Sequence, residues 1–202
     1  FKLNNFKLAD VDKLLVSIII TMYNSRDTIF KCINSLIEQS HKNIEIIVVD
    51  DNSNDESVQI VNSFIDKFSN IKLIRNKNNK GTYYCKNIAL SKVNTNTDYI
   101  TFQDSDDYCH VERIRKQIEI LYLNKAYMST CLCNRNNHNR IAPITMTISY
   151  DIFSKVIGYF DNNRFGADSE YLHRFMKYFN ILLKGNFHFN NFNTLSCSFN
   201  KI

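Results

Sequence analysis

Val16-Ser17-Ile18-Ile19-Ile20 is followed at once by Thr21-Met22-Tyr23-Asn24-Ser25, and Ile44-Glu45-Ile46-Ile47-Val48-Val49 by Asp50-Asp51-Asn52-Ser53-Asn54-Asp55. Each is a short, β-branched, nearly continuous apolar run ending in a polar cluster. Such a run fits a strand buried on both faces of a parallel sheet, where no solvent face forces alternation. Between them Ile29, Cys32, Ile33, Leu36 and Ile37 recur at helical spacing, with Ser25 predicted as the N-cap. The rhythm continues. Ile60, Val61, Phe64, Ile65 and Phe68 mark a helix, and Ile71 to Ile74 a third strand. Gly81 opens a helix through Cys85, Ile88, Ala89 and Leu90. Tyr99 to Phe102 form a fourth strand ending in Gln103-Asp104-Ser105-Asp106-Asp107, before a helix through Ile114, Ile118 and Leu121.

Repeated β-α units predict an α/β fold with a mostly parallel, Rossmann-like sheet, helices on both faces and right-handed crossovers. Ligands of such sheets bind beyond the carboxyl ends of the strands. Here the first, second and fourth strands deliver Tyr23-Asn24, Asp50-Asp51 and Asp104 to Asp107 to that edge. After residue 126 the rhythm changes. Tyr127 to Cys133 and Ile141 to Ile148 read as strands around an Asn-rich loop. Tyr150 to Val156 reads as a short helix, Gly158 to Gly166 as irregular, and Asp168 to Phe179 as a helix with Leu172, Phe175 and Phe179 on one face. With no linker or repeat, one domain over 1–202 is predicted, with a β-α half over 15–107 and a second half, including a small mixed elaboration, over 108–202.

The 202 residues can bury a sizeable core, and no run approaches the roughly 20 apolar residues that span a bilayer. The chain opens on Phe1, not Met, and reads as part of a longer protein. Its net charge of +5 suits an anionic ligand or peripheral contact with an anionic membrane, and is too small and scattered for nucleic acid. The six cysteines are irregularly spaced, which predicts buried thiols in a reducing compartment, the cytoplasm or the cytoplasmic face of a membrane. Cys131, Cys133 and His138 sketch half a zinc site and lack the other half.

Asp104-Ser105-Asp106-Asp107 is the sharpest feature. Three carboxylates in four residues repel one another, and two readings stand: a solvated acidic turn before a helix, or a site for Mg²⁺ or Mn²⁺, hard cations that also share substrate phosphate oxygens. With Asp50-Asp51 at a neighbouring strand end, the edge suits a metal-bound nucleotide diphosphate. Asp51 or Asp104 can accept hydrogen bonds from a base or ribose. Tyr23 can stack a base or pack on a helix.

Val16 to Asn24 and Ile46 to Asp55 resemble the opening segments of family 2 glycosyltransferases. Asn79-Lys80-Gly81 followed by Lys86-Asn87 is similar to the family's Gly-containing segment, with Lys86 where arginine is usual, a point charge in place of a bidentate fork. Tyr99 to Asp107 resembles its Asp-x-Asp strand. Gly158-Tyr159-Phe160-Asp161 with Gly166-Ala167-Asp168 resembles its acceptor-side motif, Ala167 replacing the usual acid. The resemblance spans 15–175. It implies an inverting, GT-A-fold, metal-dependent enzyme using a nucleotide-sugar donor, most often a UDP-sugar. Thr21, Tyr23, Asn24, Asp51, Gly81, Lys86, Asp104 and Ser105 would form the donor site, with Asp104 on the ribose. Asp106 would ligate Mn²⁺ or Mg²⁺, with His188 as a further ligand. Asp168 would be the general base, with Glu170 in reserve. The acceptor would be a hydroxyl of a glycan, lipid or protein.

Other readings stay open. Lys86 and Ala167 also fit a nucleotide-sugar-binding module that has lost transfer. A nucleotidyltransferase would need a Gly-rich basic loop early in the chain, and Tyr23-Asn24-Ser25-Arg26 is not one. A glycosidase also pairs carboxylates but leaves three polar strand ends unexplained. His173 reads as surface, and Arg164 and Arg174 as ion-pair partners or contacts for an anion.

Overall fold

The computed structural model of the protein describes residues 8–135, 138–141, 145–161, 166–182 and 195–200. After a short helix α1 (Leu8–Val11), the chain alternates β1 (Val16–Met22), α2 (Ile29–Ile37), β2 (Ile44–Asp50), α3 (Ser57–Ile65), β3 (Ile71–Arg75), α4 (Thr82–Leu90), β4 (Tyr99–Asp104) and α5 (Arg113–Leu123). The strands β5 (Met128–Ser129), β6 (Cys131–Arg135), β7 (His138–Ile141) and β8 (Thr147–Ser149) follow. Then come α6 (Tyr150–Ile152), a π-helical turn over Phe153–Ile157, α7 (Ala167–Leu182) and β9 (Leu195–Asn200).

The main sheet has the order β3-β2-β1-β4-β8-β5, and β7-β6-β9 form a second sheet. The first four strands pair in parallel, and β8 joins β4 and β5 antiparallel. The predicted mostly parallel α/β sheet is therefore present, extended by two antiparallel strands from the later part of the chain. Ile18, Ile20, Ile46 and Val48 face a core with Ile33, Leu36, Val61 and Ile114, from α2, α3 and α5. Ile19, Ile47, Val49 and Phe102 face a second core with Cys85 and Ala89 of α4 and Tyr171 and Phe175 of α7. Both faces are covered, which is why β1 and β2 read as unbroken apolar runs. Each fully buried isoleucine contributes roughly 1.5–3 kcal/mol of transfer free energy.

Register aligns the functional edge. Met22 lies beside Asp50, and Thr21 beside Asp104, so β1, β2 and β4 end at one level. Ser25 is not the N-cap of α2, which starts at Ile29 behind Thr28. The Ser25 carbonyl accepts the amides of Thr28 (3.0 Å) and Ile29 (2.9 Å), but its hydroxyl is held 2.8 Å from Ser105 Oγ and leaves the helix end uncapped. Cys32, Cys85, Cys109 and Cys131 are buried, as predicted for thiols. The side chains of Cys133 and His138 lie outside the described residues. Among the described residues no helix is long and apolar enough to cross a membrane.

Candidate active site

Asn24 and Asn52 take left-handed backbone conformations (φ 48° and 69°), which asparagine tolerates better than most residues. They turn the ends of β1 and β2 toward each other. Asn24 N donates to Ser53 Oγ (2.9 Å), and the Asn24 carboxamide accepts the Asn54 amide (3.0 Å). Braced in this way, Tyr23 stands 51% exposed over the sheet edge, free to meet a planar ligand.

Asp51 is buried and satisfied within the protein. It accepts Asn76 Nδ2 (2.9 Å), Lys80 N (2.9 Å) and Gly81 N (2.7 Å). Burial alone would raise its carboxyl, but these bonds outweigh burial and hold it below the usual carboxylate range. Gly81 must be glycine: its φ of 92° aims its amide at Asp51 just before α4 begins. Thr82 then reaches back to Thr21, Oγ1 to Oγ1 2.8 Å, joining the end of β1 to α4.

Asp104, Asp106 and Asp107 each offer a carboxylate oxygen, and these oxygens lie within 4.8 Å of one another. Among the described residues this is the one such cluster of three candidate ligands. Asp104 is pushed up to about 6 by burial; Lys86 opposes the rise, and Asp107, Asp106 and Asp168 add to it. Crowded carboxylates that resist ionising together suit a divalent cation, and an all-oxygen set suits Mg²⁺ or Mn²⁺. Asp107 was not predicted as a ligand, although its place in the acidic run was the available signal.

Asp168 sits in the first turn of α7 and crosses to α4. Its Oδ1 accepts Lys86 Nζ (2.8 Å) and its Oδ2 accepts the Tyr83 hydroxyl (3.2 Å). Lys86, expected at the donor, is only 2% exposed and faces the proposed base instead. Sequence reasoning missed Tyr83; its signal was the i, i+3, i+4 spacing of Tyr83, Lys86 and Asn87, which puts all three on one helix face. Glu170 is held by Arg174 through Nε (2.9 Å) and Nη2 (2.5 Å), and Arg174 also binds Asp161 and the carbonyls of Ile157 and Tyr159. Arg174 is thus the ion-pair partner predicted, and Glu170 is committed to it. His173 is exposed and bonds Ser169 O (2.7 Å). His188 and Arg164 lie outside the described residues.

Comparison with known proteins bears on the family and the fold. The family model described as Glycosyl transferase family 2 matches residues 17–189. An uncharacterized glycosyltransferase of Haemophilus influenzae is 39% identical over 115 residues, 57% of this chain and 45% of that protein. The Escherichia coli UDP-Glc:alpha-D-GlcNAc-diphosphoundecaprenol beta-1,3-glucosyltransferase WfaP is 42% identical over 115 residues, 57% of this chain and 44% of that protein. The chain thus spans under half the length of these relatives. Among solved structures, residues 1–349 of Staphylococcus aureus TarS with UDP-GlcNAc superpose with a TM-score of 0.69 at 22% identity, covering 80% of this chain and 53% of that one. The Pyrobaculum calidifontis mannosyltransferase PcManGT, with GDP-Man and Mn²⁺, gives a TM-score of 0.67 at 16% identity, covering 91% and 56%. The fold is thus the GT-A fold, and the chain belongs to glycosyl transferase family 2.

Proposed function

We propose that this chain is the donor-binding and catalytic part of an inverting, metal-dependent glycosyltransferase that uses a UDP-sugar and a hydroxyl acceptor on a glycan, lipid or protein. The observation that carries the reading is an α7 carboxylate placed near the acidic end of β4. Asp168 on α7 lies close enough to Asp104 on β4 to help raise its carboxyl. A carboxylate so placed can serve as the proton acceptor that a single in-line displacement requires. UDP is favoured because WfaP is named for UDP-Glc and TarS was solved with UDP-GlcNAc.

In this mechanism Tyr23 stacks the base, while Thr21, Asn24, Asp51, Gly81 and Ser105 shape the pocket floor. A divalent cation held by Asp106, with Asp104 and Asp107 beside it, would neutralise charge on the departing diphosphate. Asp168 takes the proton from the acceptor hydroxyl as that oxygen attacks the anomeric carbon, and such a base contributes about 10²- to 10⁴-fold. Calorimetry with UDP and GDP, with and without Mn²⁺, tests the donor site. Mn²⁺-dependent UDP binding that Asp106→Ala abolishes is expected; absence of nucleotide binding would refute the reading. Ala167 and the hold of Lys86 on Asp168 favour a second reading, binding without transfer, and donor turnover by this chain would exclude it.

A further inference from the structure

We infer that Lys86 and Tyr83 are positioning residues that hold the Asp168 carboxylate at both oxygens, so the Lys-Asn pair at the end of the Gly-containing segment acts on the acceptor side and not on the nucleotide. The inference rests on the reading of Asp168 as the base.

Three observations carry it. First, the ammonium is enclosed. Lys86 Nζ lies 5.0, 5.5 and 5.2 Å from the ring centroids of Tyr83, Phe102 and Phe160. Reaching a diphosphate would take it out of this cage and away from its partner, and an unpaired buried charge is strongly disfavoured. Second, the contacts divide the carboxylate, with Lys86 on Oδ1 and the Tyr83 hydroxyl on Oδ2. An ionised carboxylate oxygen has more than one acceptor site. The Asp168 side chain remains 26% exposed, so it can still receive a proton while its plane is fixed. Third, the next residue serves the same region. Asn87 Nδ2 donates to Phe160 O (2.9 Å), and Phe160 N donates to Asn87 Oδ1 (2.9 Å). Phe160 stacks on Tyr171, one turn beyond Asp168 on α7, at 4.1 Å between centroids. Lys86 and Asn87 together join α4 to α7 and the segment before it.

The test compares UDP binding with hydrolysis of a UDP-sugar panel in the presence of Mn²⁺. Lys86→Met is expected to leave the UDP Kd within about twofold and to lower kcat by on the order of 100-fold, part of what a well-placed base supplies. Lys86→Arg should recover most of that loss, Tyr83→Phe should lose roughly threefold to tenfold, and Lys86→Met with Asp168→Asn should be no worse than Asp168→Asn alone. A Lys86→Met variant with weakened UDP binding and unchanged kcat would overturn the inference and return Lys86 to the donor. Full activity in Asp168→Asn would instead remove the base reading itself. A readout independent of turnover is the ¹⁵Nζ resonance of Lys86 in folded protein, checked by thermal melting. It should move in Asp168→Asn and stay put when UDP and Mg²⁺ are added; the reverse pattern refutes the proposal.

Discussion

Among the described residues Arg113 is the largest fully buried side chain, at 0% exposure, and it ties α5 to the strand that ends in the acidic cluster. Its Nε donates to Gln117 Oε1 (3.0 Å) and its Nη1 to Gln103 Oε1. Its Nη2 donates to Thr101 Oγ1 (2.9 Å) and Phe102 O (2.8 Å). Arg113→Met keeps the packing and removes these four bonds. At about 1.5–3 kcal/mol for each bond to a charged group, the gross loss is about 6–12 kcal/mol. Much of that returns, because the guanidinium need no longer be desolvated and the two glutamines can rotate. Thr101 also keeps its bond from Thr147 (2.9 Å). The net loss expected is about 3–5 kcal/mol, because buried acceptors that lose their donor cost about 1–3 kcal/mol each and only some can find another. The urea midpoint should fall with little change in slope, and Tm should fall by roughly 2–4 °C per kcal/mol. Arg113→Lys, with one compact head for four acceptors, should fall between wild type and Met. A Met variant as stable as wild type would show that the network is neutral and that apolar packing alone holds β4 in place.

Two further predictions concern the site. Asp104 has its carboxyl raised to about 6, so Mn²⁺ must displace a proton at lower pH; affinity by calorimetry should fall by about tenfold per pH unit below that value and level off above it. In the metal-free protein the sign is opposite: the raised carboxyl favours the fold in its protonated form, and that contribution is lost as pH rises through about 6. Glu170→Gln should keep donor turnover within about twofold and lower stability by at most about 1 kcal/mol, because the Glu170–Arg174 pair is partly exposed; loss of turnover comparable to Asp168→Asn would make Glu170 the base.

The mostly parallel sheet was legible because its strands and helices follow from local pattern. Apolar runs covered on both faces, each closed by polar residues, place β1, β2 and β4 and align their ends without long-range information. The acidic cluster was legible for the same reason. What the pattern does not carry is the choice of partner between distant side chains. Lys86 and Asp168 are 82 positions apart, and nothing local tells whether an ammonium turns to a nucleotide or to that carboxylate. Asp51 was read as a ligand contact, and the structure shows it accepting the amides of Lys80 and Gly81, a role set by the left-handed Gly81. Arg113 and Gln117 are polar residues of α5, yet both are buried: Arg113 meets acceptors on β4, and Gln117 Nε2 donates to Thr145 O.

The charges at the site limit how a donor can enter. Asp104, Asp106 and Asp107 crowd one edge, and Lys86, which eases the cost of ionising Asp104, is bonded to Asp168. A nucleotide diphosphate would bring further negative charge to this edge. Lys86 cannot meet it without leaving both its aromatic cage and the carboxylate it orients. On the proposed reading, a divalent cation at the acidic cluster would supply positive charge that draws a diphosphate to this edge. At position 86 a compact ammonium sits among Tyr83, Phe102 and Phe160 and holds one carboxylate oxygen of Asp168. If donor binding rests on the acidic cluster with a cation and proton transfer on the residues of α4, as proposed, the two should be separable by mutation within one small site.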